Sequence, residues 1–444
     1  MRAITRCDRF GVILGIAPGP DLAALSPAHF VHTFMTHSPP ILFPLLFFLA
    51  VVSAAGRESP ALAPVPVTRA DPSRHGDDQR LFQGIPGVAI SQGGRLWATW
   101  YSGGAGEGPE NYVLLATSGD GGLTWSKPVF VIDPESPVRA YDAVLWRAPD
   151  GVMWWFYSQT YGQWDGRAGV WAVTSRNADE PLPTWSPPRR LADGIMMNKP
   201  AATREGRWLF PIARWSLKPS ASMPGPKRPP IPNPHLAWDP EAVGTHVYRS
   251  DDAGATIVRL GTARIPDVRY DEHHVIERRD HTLWILARTN AGISESVSTD
   301  AGSTWSLGQP SPIPNAASRF FIRRLKSGNL LLVKHNPPLD QPWLVAATVQ
   351  PSWRQRSHLT AYLSEDDGVT WKGGLLLDDR LVVSYPDGDQ GTDGTLFIIY
   401  DHNRESDREI LLARFTEQDV LARHLITANS RLRLLVNRAT GKRE

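Results

Sequence analysis

Side chains able to do chemistry fall in a few short stretches of this 444-residue chain. Two acids, Glu107 and Glu110, sit in a glycine-rich run, Ser102-Gly-Gly-Ala-Gly-Glu107-Gly-Pro-Glu110. Asp142 ends the stretch Arg139-Ala-Tyr-Asp142, and Asp271-Glu272-His273-His274-Val275 sets two carboxylates beside two imidazoles. Arg288, Arg356 (in Arg356-Ser-His-Leu) and Tyr385 (in Val383-Ser-Tyr385-Pro386) stand further along. A carboxylic acid in such a set can protonate a departing oxygen. A guanidinium can hold a carboxylate through two parallel hydrogen bonds. Each residue also has an ordinary use: a tyrosine at a strand start packs its ring, and an arginine at a strand end is a solvated rim charge. The paired histidines raise a metal site, but neighbours on a strand point to opposite faces, so at most one could join it. No metal or organic cofactor is required by these residue types.

The elements that must position these groups are marked by a repeat. Ser-x-Asp-x-Gly-x-Thr followed by an aromatic or aliphatic residue occurs at Ser118–Trp125, Ser250–Ile257, Ser298–Trp305 and Ser364–Trp371, with a stretched copy from Ser175 to Trp185. Such recurrence describes an array of similar supersecondary units. The Asp can accept backbone N–H groups of its own turn, and the Gly supplies positive φ, so the pattern reads as a structural turn between antiparallel strands. A second, independent signal is a turn followed by an apolar, aromatic or β-branched strand. It appears at Gly93-Gly94, Asp150-Gly151, Glu205-Gly206, Asp280-His281, Ser327-Gly328 and Asp393-Gly394. These are hairpin signals, and six of them predict six sheets, each opened by a hairpin and closed by a box. The last unit has no box, only Glu409 to Phe415, and a strand from near the N-terminus is expected to complete it.

This repeat resembles the Asp-box of the sialidase (neuraminidase) superfamily, whose members are six-bladed β-propellers. The resemblance implies an all-β fold of four-stranded antiparallel sheets and an exo-glycoside hydrolase that removes a terminal acidic sugar with retention of configuration. It also implies an unusual nucleophile. The substrate carries a carboxylate on its anomeric carbon, which would repel an anion, and the family uses a neutral Tyr activated by Glu, an exception to the two-carboxylate scheme. Carried over by order and spacing, Tyr385 is the nucleophile, Glu272 its base, and Arg288 and Arg356 the carboxylate clamps. Glu107 falls closest to the place of the acid, with Glu110 as substitute and Asp142 as a further carboxylate near the mouth.

The departures are equally specific. The family's first-blade motif, aromatic-Arg-Ile-Pro, is here Phe82-Gln83-Gly84-Ile85-Pro86, with Gly84 where the first clamp Arg would stand. Losing a charged hydrogen bond costs about 1.5–3 kcal/mol. Sialic acid is the default that the resemblance implies, but the missing Arg moves the expectation toward a different substrate, such as a uronic acid or another modified sugar, with Arg80 as a replacement from upstream. Two other readings stay open on these residues: a polysaccharide lyase with Tyr385 or a His as base, and a carbohydrate-binding propeller without catalysis.

Composition and the ends of the chain bound the rest. Formal net charge is +2 with both signs interspersed, which points away from nucleic acid. The one cysteine, Cys7, precedes an apolar run from Ile41 to Ala55 that reads as a signal peptide within 35–55, with 1–34 as an upstream extension. An uncleaved membrane anchor is the alternative reading of that run. The protein is thus expected to be secreted or periplasmic, a monomer acting on glycans, with the propeller in 56–444 and no disulfide. Seventeen tryptophans exceed what the boxes need. Packing between blades is the favoured use of Trp97, Trp100, Trp146, Trp154, Trp155, Trp164 and Trp171, and sugar stacking the other. A Pro-rich insertion, Arg214 to Asp239, is expected as a loop over one rim, and the tail after Glu417 carries no readable motif.

Overall fold

Every hairpin signal joins the first two strands of a blade in the computed structural model, which describes residues 63–162, 168–215, 243–268, 270–338 and 356–442. From the axis outward, blade 1 is Gln83–Ile90, Leu96–Ser102, Tyr112–Ser118 and Phe130–Ile132. Blade 2 is Val138–Arg147, Met153–Tyr161, Gly169–Ser175 and Arg189–Asp193, and blade 3 is Ala201–Ala202, Trp208–Arg214, Gly244–Ser250 and Val258–Ala263. Blade 4 is His274–Glu277, Leu283–Thr289, Gly292–Ser298 and Gln309–Pro310. Blade 5 comprises Phe321–Arg324, Leu330–His335, Leu359–Ser364 and Lys372–Asp378; blade 6 comprises Val383–Gln390, Leu396–His402, Glu409–Phe415 and Arg431–Arg438. All pairings are antiparallel and the chain is a six-bladed β-propeller.

The boxes sit between the third and fourth strands and work as turn staples. Thr256, Thr304 and Thr370 each donate a hydroxyl and a backbone N–H to the box Asp four residues earlier. Those bonds, the hydroxyl first, hold Asp252, Asp300 and Asp366 at about 2. The stretched copy keeps the device with an amide, since Asn177 Oδ1 accepts Thr184 N at 3.0 Å.

What closes the ring is a core on both faces of every sheet. Successive residues of a strand point to opposite faces, so Leu96, Ala98 and Trp100 pack against blade 6 while Trp97 and Tyr101 pack against blade 2. Apolar clusters fill each junction in turn: 1–2, 2–3, 3–4, 4–5, 5–6 and 6–1. The strands therefore read as nearly continuous apolar runs rather than as alternating ones. The described tryptophans serve these junctions, with Trp97, Trp100, Trp146, Trp155 and Trp284 fully buried; Trp164 lies outside the described residues.

Two expectations are corrected. The fourth strand of blade 6 comes from the C-terminal tail, Arg431–Arg438, and not from the N-terminus. The N-terminal strand Thr68–Arg69 instead adds to the outer edge of blade 1, pairing with Phe130 and Val131. The tail after Glu417 thus has a job: a short helix, Glu417–Ala422, capped by Thr416, leads into that closing strand. Its end is tied to the first blade, with Thr440 N donating to Asp77 O and Gly441 N to Arg80 O. Arg80 serves this closure, bonding Gln83 and Asn437, so it is not the substitute clamp. The signal segment, the extension and most of the Pro-rich insertion lie outside the described residues. Among the described residues no helix is long and apolar enough to cross a membrane.

At the axis the six innermost segments are joined by buried polar side chains. Lys199 Nζ donates to Val88 O and Leu145 O, both at 2.7 Å, and to Asp387 Oδ2 at 2.6 Å. Arg319 Nε donates to Asn198 Oδ1 at 2.8 Å, and Asn198 Nδ2 donates to the carbonyls of Glu272 and His273. Breaking one arm of a buried ion pair strands the other charge, at a cost of about 3–5 kcal/mol. Lys199→Met should lower unfolding free energy by about that amount in denaturant titrations; a loss under ~1 kcal/mol would show that the axial pair is not a stabilising joint.

Candidate active site

Three innermost strands break register near their N-terminal ends. The breaks fall between Gly84 and Gly87, Tyr141 and Val144, and Ser384 and Asp387. At each one residue takes a left-handed conformation: Ile85 (φ 54°), Asp142 (φ 49°) and Tyr385 (φ 55°). Such bulges redirect a side chain out of the pleat, and holding a non-glycine residue there costs on the order of 1–3 kcal/mol. Asp401 helps to hold them. Its carboxylate accepts Ile85 N at 2.8 Å and the hydroxyl of Ser384, the residue before Tyr385, at 2.7 Å.

The bulge delivers the Tyr385 hydroxyl to two of the residues expected beside it. It donates to Glu272 Oε1 at 2.9 Å and accepts from Arg288 Nη1 at 2.8 Å. Arg288 Nη1 also donates to Glu272 Oε1 at 2.6 Å, closing a three-membered cluster. Glu272 precedes the inner strand of blade 4, Arg288 ends the next strand, and Tyr385 comes from blade 6. Burial would strip Arg288 of its proton, but Glu272 and Tyr385 more than offset that and keep it charged. Burial raises the Tyr385 pKa above that of a free phenol; the flanking Arg288, Arg356 and Arg404 oppose the rise, while Glu272 adds to it. The resting group is a neutral phenol already hydrogen-bonded to a carboxylate that can take its proton.

Arg356, just ahead of the third strand of blade 5, has its guanidinium carbon 5.3 Å from the Tyr385 ring centre. Burial, followed by Arg288 and Arg404 among its neighbours, lowers its pKa. Arg404 is closer still, at 4.1 Å from the same ring, and was not singled out from the sequence. It lies in the loop after blade 6's second strand, in a stretch, Asn403-Arg404-Glu405, with no motif around it. Glu107 reaches the same mouth and pairs with Arg404 Nη1 at 3.3 Å. Its loop is braced by Asn111, which donates to the carbonyls of Gly103 and Gly106 and accepts from Gly108 N. Glu107 and Glu110 are both exposed on that loop. The expected residues Tyr385, Glu272, Arg288, Arg356 and Glu107 do converge, with Asp142 as the further carboxylate, and the structure adds Arg404.

The Asp142 carboxyl is buried, faced by Arg139, Glu107, Glu272 and Arg319. Burial first, then Glu107 and Glu272, raise its pKa to about 8 against the pull of Arg139 and Arg319. By contrast His273 and His274 are core residues. Their ring nitrogens face the carbonyls of Asp271 and His246, and of Phe320, and burial pushes them down to about 4 and about 3. The metal reading of that pair fails on this geometry. A cavity of about 250 Å³ lined by Trp146, Arg323 and Asp389 lies at the other ends of the inner strands, away from these groups.

A raised carboxyl pKa sets the direction of a stability change. Between about 4 and about 8 the folded chain keeps the Asp142 proton that the unfolded chain releases. The contribution is fully present below the lower value and is lost as pH climbs through the upper one. Melting temperatures of wild type and Asp142→Asn should therefore diverge in favour of the variant from about pH 4.5 to about pH 8.5. A constant difference across that window would mean that the carboxyl is already ionised.

Comparison with known proteins agrees with the architecture. A family profile described as a BNR repeat-like domain matches residues 94–398. No curated protein matches the chain. Among solved structures, the Hadza microbial sialidase Hz136 superposes with a TM-score of 0.55 at 19% identity, over 74% of this chain and 65% of that one. This chain therefore spans just under two thirds of that protein's length. The intramolecular trans-sialidase of Ruminococcus gnavus, solved with oseltamivir carboxylate, gives 0.52 at 14% identity over 77% and 95% of the two chains. The α-L-arabinanase of Penicillium chrysogenum, solved with arabinobiose, gives 0.50 at 12% identity over 81% and 99%. At such identities the likeness is one of fold.

Proposed function

We propose, on the premise that this chain belongs to the BNR repeat-like domain family and has a sialidase-like propeller fold, that it is a retaining exo-glycoside hydrolase acting on a terminal acidic sugar. The observation that carries this reading is the Tyr385 hydroxyl held between Glu272 and Arg288 at 2.9 and 2.8 Å. As Tyr385 Oη attacks the anomeric carbon its proton passes to Glu272 Oε1, while Arg288 Nη1 steadies the developing charge on the oxygen. The glycosidic C–O bond breaks and the leaving oxygen takes a proton from an acid at the mouth. Water then attacks the glycosyl-tyrosine with that acid's conjugate base accepting its proton, and Tyr385 recovers its own from Glu272. A neutral nucleophile suits a site whose guanidinium groups are gathered for an anionic substrate.

Two carboxyl groups are placed to be the acid. Glu107 is the one expected from the order of the chain, and it pairs with Arg404 Nη1 at 3.3 Å. Asp142, with a pKa of about 8, holds a proton near neutrality and is the better donor.

Purified protein should release the aglycone from a fluorogenic sialoside or from one of a panel of uronide glycosides. Tyr385→Phe should lower kcat/KM by more than about a thousandfold, and Glu272→Gln by about 10²–10⁴. A product absorbing in the near ultraviolet would replace hydrolysis by elimination. Glycan binding without turnover, unchanged in Glu272→Gln, would leave a binding propeller.

The acid is identified by its dependence on the leaving group. Asp142→Asn should lose about 10²–10⁴ in kcat on a substrate with a sugar aglycone and little on one with a nitrophenolate, which departs unprotonated. If Glu107→Gln shows that split and Asp142→Asn does not, the donor is Glu107.

A further inference from the structure

Positive charge also collects on the face of the propeller opposite the Tyr385 mouth. The cavity of about 250 Å³ there lies where the inner strands of blades 2, 3, 5 and 6 end. Arg147, Arg323, Arg324 and Lys326 line it, against one carboxylate, Asp389. Arg324 is neutralised by Asp367 at 2.7 Å and donates to Gly328 O and Glu277 O. The other three cations form no ion pair among the described residues.

Two of them are steadied by backbone without losing charge. Arg147 Nε donates to Ile90 O at 2.8 Å, and Lys326 Nζ donates to Gly391 O at 2.9 Å. Arg323, half-buried on the inner strand of blade 5, donates no hydrogen bond among the described residues. Asp389 does not answer it, since its two oxygens accept Ile90 N at 3.0 Å and Gln390 N at 2.9 Å. Partial burial of an unpaired guanidinium is costly. Its field reaches the interior: burial is the main cause of the lowered pKa of Lys199 and of His274, and Arg323 adds to both. Three unpaired cations less one carboxylate leave the cavity with an excess of two positive charges. Much of the remaining lining is apolar, from Trp146, Phe321, Leu325 and Leu331.

We propose that this cavity binds the phosphate of a small phosphomonoester, held by Arg323, Arg147 and Lys326, with the organic part of the ester against the apolar lining. A phosphomonoester carries nearly two negative charges at neutral pH, which matches the excess. A guanidinium meets phosphate oxygens with two parallel N–H groups, and an ammonium meets them as a point charge. The apolar lining gives an ester something to contact that a bare oxyanion lacks. No bond is made or broken there, and the site does not depend on the reading of the Tyr385 mouth as a glycosidase.

Calorimetric titration and thermal melting of the full chain at fixed ionic strength test this, with phenyl phosphate, inorganic phosphate and benzoate as probes. Phenyl phosphate should bind, raise the melting temperature and exceed the affinity of benzoate, a monoanion of similar shape, by about tenfold or more. Inorganic phosphate should compete with it more weakly; tighter binding of the free ion would overturn the ester. Arg323→Gln should weaken phenyl phosphate by roughly 10- to 150-fold. The melting temperature of the free variant should stay level or rise, because an unpaired charge has been removed. A fall in that temperature would mark Arg323 as a structural side chain and overturn the proposal. Arg356→Gln, beside Tyr385, should leave phenyl phosphate affinity unchanged. Loss of binding in Arg356→Gln but not in Arg323→Gln would put the anion at the other mouth, and no heat or melting shift in the wild type would remove the site.

Discussion

Much in this molecule depends on one buried ion pair at the propeller axis. Lys199 and Asp387 meet at 2.6 Å with almost no solvent, and their remaining hydrogen bonds reach blades 1 and 2 through Val88 and Leu145. Asp387 also accepts Val88 N, while Arg319 and Asn198 extend the contact to blades 5 and 4. Burying charge is costly unless every donor and acceptor is met. Here the inner edges of six sheets supply the partners. The apolar junctions between blades are interchangeable in kind, whereas this set of donors and acceptors is satisfied only when the blades stand in the right order and rotation.

The active site inherits its precision from that joint. Asn198 holds the backbone carbonyl of Glu272, so the Tyr385 cluster is bonded to the axial network through one amide. Asp387 lies two residues past Tyr385 on the same bulged strand. Positions of Tyr385 and Glu272, on blades 6 and 4, are thereby referred to a common point. The left-handed conformations of Ile85 and Tyr385 are held by Asp401, which accepts Ile85 N and the hydroxyl of Ser384. The cluster is consequently charged and constrained before any substrate arrives, which is what an electrostatically preorganised site requires.

Electrostatics also separates the acids by role. Glu272 and Glu107 each face a guanidinium, whereas Asp142 is buried among groups of both signs and keeps its proton to about 8. In the proposed reaction Glu272 would receive a proton and Asp142 would give one, within the same mouth.

What the sequence determined was local. A box Asp with Gly and Thr at fixed offsets staples its own turn, and a glycine turn followed by an apolar strand makes its own hairpin, so the count of blades could be read residue by residue. Tyr385, Glu272, Arg288 and Arg356 were legible too, because their order relative to those turns is preserved. Gly84 was visible as a departure, but its meaning was not. The residue that explains it, Arg404, is some three hundred positions away in a loop without a pattern, and only the closing of blade 6 against blade 1 brings the two within van der Waals contact. The closing strand was likewise misplaced, since Arg431–Arg438, in which arginines interrupt Leu432, Leu434, Leu435 and Val436, follows no box and is defined by its partner, Glu409–Phe415. Turns and hairpins are set by contacts a few residues apart, and so appear in the chain itself. Ring closure, the burial that shifts Asp142 and the route by which a guanidinium reaches the site arise from contacts between distant segments, and those exist only once the whole ring has formed.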